Sequence, residues 1–240
     1  HAATFFKYAS EITAGVPVAS LGPSIASVYR APLKLAGAAA IAVSQSGKSP
    51  DLLALAEAFK KGGATAFALV NVEDSPLALM ADGFVPLRAG PEKSVAATKS
   101  FVTAVVAGLA ILAEWQNDAG LKSALAALPE QLDLALASDW SIAEDVFVGA
   151  DSLYTLGRGP GFAMALEAAL KFKETAILHA EAYSGAELQH GPVSLVDEDF
   201  PLLAFIPEDA AADSLVATVD ALHARGAKVF AATGRAVAGP

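Results

Sequence analysis

Three groups of side chains in this sequence have types and spacings that could do chemistry. The first is SQSGKSPD, Ser44 to Asp51, where hydroxyls and a glycine stand between an apolar run and a helical pattern. Serine at an N-cap position followed by proline starts a helix at Pro50. Ser44, Gln45, Ser46 and Gly47 then lie between a strand end and the positive end of a helix dipole. A phosphate placed there would receive the hydroxyls of Ser44, Ser46 and Ser49 together with main-chain amides, and Gly47 lets the backbone come close. A polar turn leading into a capped helix is the plain alternative.

The second group is Glu167, Lys171 and Glu174, spaced four and three apart and so on one face of a helix. Alone, they would make a solvated ion pair. The third is HAEAYSGAELQHGP, which gathers His179, Glu181, Glu187 and His190 around glycines near the end of that helix. Imidazoles beside carboxylates can move protons. No H-x-x-x-H or H-E-x-x-H pair occurs, so no metal is expected, and no cofactor either. GRGPG at 157–161 is not a dinucleotide fingerprint, because the third glycine would fall on Phe162; a close-packed turn from strand to helix accounts for it.

These groups need elements to hold them. Residues 38–71 and 199–234 each read as apolar strand, polar loop, amphipathic helix, glycine stop and second apolar strand, the βαβ pattern twice. In the second copy the loop corresponding to Ser44–Ser49 is Ile206-Pro207-Glu208-Asp209, whose carboxylates would repel a phosphate. Between the copies come a strand-like run at 84–87, a buried helix at 101–115 and a polar helical stretch at 121–138, interrupted by Pro129 and read as a connector. A strand at 152–156 and a long helix at 162–178 follow. The expected fold is α/β, an internal duplication of two doubly wound parallel sheets, each a three-layer α/β/α subdomain. The expected halves are 1–125, carrying the phosphate loop, and 126–240, carrying the charged helix and the His-Gly-Pro loop and read as trimmed at its C-terminus.

Composition narrows the function classes. With 54% hydrophobic and 18% charged residues over 240 positions, the chain can bury two sheets and has apolar surface to spare for an oligomer interface. A formal charge of −10 argues against a nucleic-acid partner, whose phosphates need a basic face. Without cysteine there is no disulfide, thiolate metal site or thiol nucleophile, which fits a cytoplasmic setting. The longest apolar run, residues 101–113, is shorter than the ~17 residues that span a bilayer, so no membrane partner is expected.

Taken in order, SQSGKSPD, EKSVAATKSF, ALEAALKFKE and HAEAYSGAELQHGP resemble the tandem SIS (sugar isomerase) domain family. The resemblance is to the isomerase module of glutamine:fructose-6-phosphate amidotransferase (glucosamine-6-phosphate synthase) and to stand-alone glucosamine-6-phosphate deaminases, and it covers nearly the whole chain. It implies that Ser44, Gln45, Ser46 and Ser49 hold a sugar phosphate while Val95 and Ala97 line the sugar. Glu174 would be the base that moves a proton between C1 and C2, with Glu167 and Lys171 as its companions. His190 would open the ring from a neighbouring subunit, implying a homodimer. The family's threonine is replaced by Ser49, which keeps the hydroxyl; its Gly-Thr-Ser turn before His1 and its C-terminal lysine are not in this chain. With no glutaminase domain and no cysteine in the chain, the expectation is a deaminase converting glucosamine 6-phosphate to fructose 6-phosphate and ammonia. The alternatives are a synthase-type isomerase module, a ketose/aldose phosphate isomerase, or a sugar-phosphate-binding regulator without catalysis.

Overall fold

A computed structural model describes residues 1–234. Its contacts divide the chain into two compact units. The N-terminal unit comprises Ala2 and Ser10–Ala126; the C-terminal unit comprises His1, Ala3–Ala9 and the chain from Ala127 onward.

The N-terminal unit contains helices α2 (Ser24–Ser27), α3 (Pro50–Lys61), α4 (Pro76–Met80) and α5 (Lys99–Trp115), and strands β1 (Ala39–Ser44), β2 (Thr65–Val70) and β3 (Gly83–Pro86). The strands run parallel in the order β1-β2-β3, with Ala39 opposite Thr65 and Phe67 opposite Gly83. Because side chains alternate across a strand, β2 feeds two cores. Ala68 and Val70 pack with Ala56 of α3 and Leu77 and Ala78 of α4, whereas Leu69 meets Leu87 and Ala104 of α5 on the other face. The sheet is therefore covered on both sides. Helix α3 ends as the Lys-Lys-Gly-Gly run predicts, with Gly63 at φ +91°.

The C-terminal unit contains α7 (Ser141–Val148), β4 (Ser152–Gly157), α8 (Pro160–Thr175), β5 (His179–Ser184), α9 (Gly185–Leu188), a 3-10 turn (Pro192–Leu195), β6 (Pro201–Phe205), α10 (Ala212–His223) and β7 (Lys228–Ala232). Its parallel strands run β5-β4-β6-β7, and the order reverses between β4 and β6, as a doubly wound sheet requires. Leu156, Leu202 and Ala204 bury against Leu215 and Val219 of α10. Leu153 and Ala180 face Ala169 of α8 on the opposite side. The repeated βαβ units, β1-α3-β2 and β6-α10-β7, each carry a helix of 12 residues.

Helix α1 (Ala2–Thr13) has residues in both units, and α6 (Ala119–Leu136) crosses the boundary between them. Pro129 does not interrupt α6. The helix has no buried residue, so water can take the carbonyl that proline leaves without a donor. Strand β5 replaces what the sequence reads as helix end and loop. HAEAYS has little strand propensity, and its pairing with β4 over Ser152–Gly157 overrides that preference. Helix α8 stops at Thr175, and Ile177 adopts φ +54° to turn the chain into β5.

Candidate functional site

In the N-terminal unit the serine loop leaves β1 at Ser44 and enters α3 at Pro50. Ser44, Gln45 and Ser46 are half-buried and Ser49 is exposed. The hydroxyl oxygen of Ser44 accepts from the Gly47 amide at 3.0 Å, and that of Ser46 from the Lys48 amide at 3.3 Å. A hydroxyl that accepts one bond keeps its own proton to donate, so the contacts that shape the turn leave both O–H groups usable. Ser49 occupies the N-cap backbone position, yet its side chain makes no cap hydrogen bond. This differs from the capping role its position predicts, and the hydroxyl is not committed to the helix.

Gly47 is the pivot of the turn. It is buried, at φ +63°, and a Cβ there would overlap the Ser75 hydroxyl and lie 2.6 Å from Ser75 Cβ and 3.0 Å from Val70 Cγ2. Its carbonyl accepts from the Leu77 amide at 3.1 Å, and Ser75 caps α4 through the Ala78 amide. Ser75-Pro76 repeats the Ser49-Pro50 start signal one strand later, and that repetition could have pointed to it from the sequence.

Val95 and Ala97 lie on the loop from β3 to α5 in the same unit. Val95 is 99% exposed and Ala97 half-buried. Asn71, at the end of β2, holds the start of this loop: its Nδ2 donates to the Gly90 carbonyl at 2.8 Å and its Oδ1 accepts from the Ala89 amide at 2.8 Å. Glu92 accepts from the Ser100 amide at 2.7 Å in the first turn of α5, and that bond holds its carboxyl below the ordinary range. Asn71 and Glu92 were not singled out by type or spacing, because their roles depend on which loops the sheet brings side by side.

In the C-terminal unit, α8 begins from a crowded glycine turn. A Cβ on Gly157 would collide with the Gly161 carbonyl and lie 2.7 Å from the Phe162 nitrogen, while Gly159 sits at φ +56°. Close packing thus explains GRGPG. Farther along α8, Lys171 donates to Glu174 and lies 3.5 Å from Glu167 Oε1, so one ammonium bridges two carboxylates. His1 Nδ1 lies 2.8 Å from the second oxygen of Glu167. Burial alone would push the Glu167 carboxyl up, but the His1 hydrogen bond and the Lys171 charge outweigh it and hold it below its ordinary range. Burial likewise works against the Lys171 ammonium, and its carboxylate partners more than offset that, raising it above the usual lysine value.

Strand β5 separates what spacing had grouped. Ala180 and Ala182 face α8, which sends His179, Glu181 and Tyr183 to the opposite face. There His179 Nδ1 lies 2.8 Å from Ser152 Oγ. Burial first, then the Glu181 carboxylate bonded to it, raises the Tyr183 hydroxyl well above its ordinary value. The segment carrying His190 packs on that same face through Leu188, Val193 and Val196. His190 is exposed, its amide bonded to the Glu187 carbonyl at 3.0 Å. Among the described residues no hydrogen bond or ion pair joins it to Glu174. Among the described residues, too, no group of three or more His, Cys, Asp or Glu offers a metal site and no helix is long and apolar enough to cross a membrane.

Two parallel three-layer units, one with a serine-rich loop at a helix start and the other with a lysine-bridged carboxylate pair, define an α/β protein of the duplicated sugar-isomerase type. The SIS domain model matches residues 1–113 and 147–236, and the chain belongs to that family. It is 37% identical over 244 residues to glutamine–fructose-6-phosphate aminotransferase (isomerizing) of Symbiobacterium thermophilum, covering 96% of this chain and 39% of that protein. The chain thus spans well under half the length of that relative. Among solved structures, a provisionally assigned phosphosugar isomerase of Silicibacter pomeroyi DSS-3 has a TM-score of 0.95 at 52% identity, covering 100% of this chain and 73% of that one. The C-terminal domain of glucosamine-fructose-6-phosphate aminotransferase from Francisella tularensis has a TM-score of 0.84 at 32% identity, over 96% and 68%.

Proposed function

We propose that the protein binds a hexose or hexosamine 6-phosphate and moves a proton between C1 and C2, interconverting aldose and ketose for a hexose and amino-aldose and ketose imine for a hexosamine, as an isomerase module of the aminotransferase kind. The observation that carries this reading is the Lys171 ammonium held between Glu167 and Glu174 on α8. Such a bridge fixes the rotamer of Glu174 while its side chain stays 30% exposed, and a positioned, reachable carboxylate is what proton abstraction beside a carbonyl requires. In this reading Ser44, Gln45, Ser46 and Ser49 receive the phosphate, and Val95 and Ala97 border the sugar. Lys171 orients the base, and Glu167 keeps Lys171 charged. His190 opens the ring in the site of a second copy, since within one chain its segment packs on the sheet face away from α8.

The expectation of a deaminase depends on the lack of a glutaminase domain and of cysteine in this chain. The aminotransferase relative is matched over only 39% of its length, so that lack does not favour a deaminase; the aminotransferases at 37% and 32% identity support the isomerase module, and the phosphosugar isomerase at 52% supports isomerisation without amination. A structurally similar glucosamine-6-phosphate deaminase of Thermotoga maritima is 21% identical, a likeness of fold alone. The deciding experiment follows deuterium from solvent into C1 and C2 of fructose 6-phosphate, glucose 6-phosphate and glucosamine 6-phosphate. Exchange without ammonia supports the isomerase module, and ammonia from glucosamine 6-phosphate restores the deaminase. Tight binding with no exchange in any sugar makes the protein a non-catalytic binder and removes the proposal.

A further inference from the structure

We infer that Asn71 is a positioning residue that sets the distance between the serine loop and the loop carrying Val95 and Ala97. The inference rests on the reading above, in which the first loop takes the phosphate and the second borders the sugar. An asparagine amide sets a donor group and an acceptor group in a fixed fork, and here both are used on consecutive residues, Gly90 C=O and Ala89 N–H, at 2.8 Å each. The opposite amide orientation would set donor against donor and oxygen against oxygen, so the chemistry admits one orientation. The loop bends sharply at this point: Arg88 and Gly90 have φ +51° and +69°. Ladder pairing ends just before it, with the Leu87 amide donating to Val70 O at 3.0 Å. Asn71 therefore extends the hold of β2 onto a loop that backbone pairing no longer reaches.

Six residues later the same segment grips the other loop. Leu77 N–H bonds to the Gly47 carbonyl, and Ser75 fills the space that a side chain at residue 47 would need. The Val95 loop is also closed on itself, its two feet joined by Lys99 Nζ on the Pro91 carbonyl at 2.9 Å and by the Ser100 amide on Glu92 at 2.7 Å. Residues 93–98 form an arch between these ties. Releasing Asn71 cuts the tie between this closed arch and β2 and leaves the Ser75 and Leu77 contacts with the serine loop in place, so the sugar contact should weaken while the phosphate contact holds.

The test compares the protein with its Asn71→Ala and Asn71→Asp variants. Asp retains the acceptor for Ala89 but sets an oxygen against the Gly90 carbonyl. Amide hydrogen exchange over residues 89–97 should rise in both variants. Affinity for inorganic phosphate should stay within about twofold, and affinity for fructose 6-phosphate should fall about tenfold, the size expected from two modest hydrogen bonds. Phosphate binding also reports that each variant is folded. Equal losses for phosphate and sugar phosphate would make Asn71 a general prop and overturn the inference, as would unchanged exchange in the loop. If the parent protein binds phosphate but no sugar phosphate, the functional reading fails, and the exchange measurement alone still decides whether Asn71 holds the loop.

Discussion

Gly47 and Glu174 are the residues on which the two halves of the candidate chemistry turn. Alanine at position 47 would have to accept a left-handed backbone, a cost of roughly 1 kcal/mol, and also displace Ser75, an overpacking cost of about 1–3 kcal/mol. Gly47→Ala should therefore lose about 2–4 kcal/mol in urea unfolding and bind phosphate more weakly. An equally stable variant would mean that the turn is looser than its contacts indicate. Glu174→Gln keeps the shape of the side chain and one oxygen that can accept from Lys171 but removes the charge and the base. Its deuterium exchange should drop ~10²–10⁴-fold with sugar-phosphate affinity nearly unchanged, and undiminished exchange would return Glu174 to an ordinary ion pair. Residue types and spacing single out both positions, a glycine in a serine-rich loop and charges at i, i+4 and i+7, although a polar turn and a solvated ion pair would give the same patterns. They could not reveal Asn71 or His1, whose partners lie 19 and 166 residues away.

On the scale of the element, α8 is held by charge as well as by packing. Glu167 has a lowered folded value, so its contribution to stability is present above its ordinary 4.5 and is lost as pH falls through the folded value. Lys171 has a raised folded value, so its contribution is present below 10.5 and is lost as pH rises through the folded value. Glu167→Gln should accordingly be less stable than the parent between these limits, and the two denaturation curves should converge below pH 4.5; parallel curves would show that the ion chain contributes nothing. The sheet behind α10 depends on packing. Leu156 is fully buried among Leu202, Leu215 and their neighbours, and Leu156→Ala should cost about 2–5 kcal/mol by unfolding. The amphipathic repeat of α3 and α10 made these helices legible in advance. The strand at 179–184 was not, because HAEAYS acquires its extended form from β4 beside it.

For the molecule as a whole, the arrangement of the C-terminal unit bears on how many copies make a site. Helix α8 covers one face of the four-stranded sheet, and the His190 segment packs on the other. If His190 acts with Glu174, it does so from a second copy. Mixing inactive Glu174→Gln protein with inactive His190→Ala protein under exchange conditions should then restore activity, up to about a quarter of the parent value for random dimers with one intact site in each mixed pair. No recovery, in a mixture shown by mass to contain mixed dimers, would place both residues in the same chain's site, and a His190→Ala protein that is active by itself would leave His190 without a role.

What the sequence determined by itself was the repeated βαβ plan, the serine loop at a helix start and the charged face of α8. These depend on periodicity and on contacts within a few residues, which composition and spacing record directly. Only the tertiary structure decided that β5 runs as a strand and carries His179 and Glu181 away from α8, that Ser49 leaves its helix uncapped, and that Asn71 ties the end of one strand to the loop after the next. The strand and the Asn71 tie are set by which segments a parallel sheet places side by side, and in β5 the pairing energy with β4 outweighs the local preference of the residues.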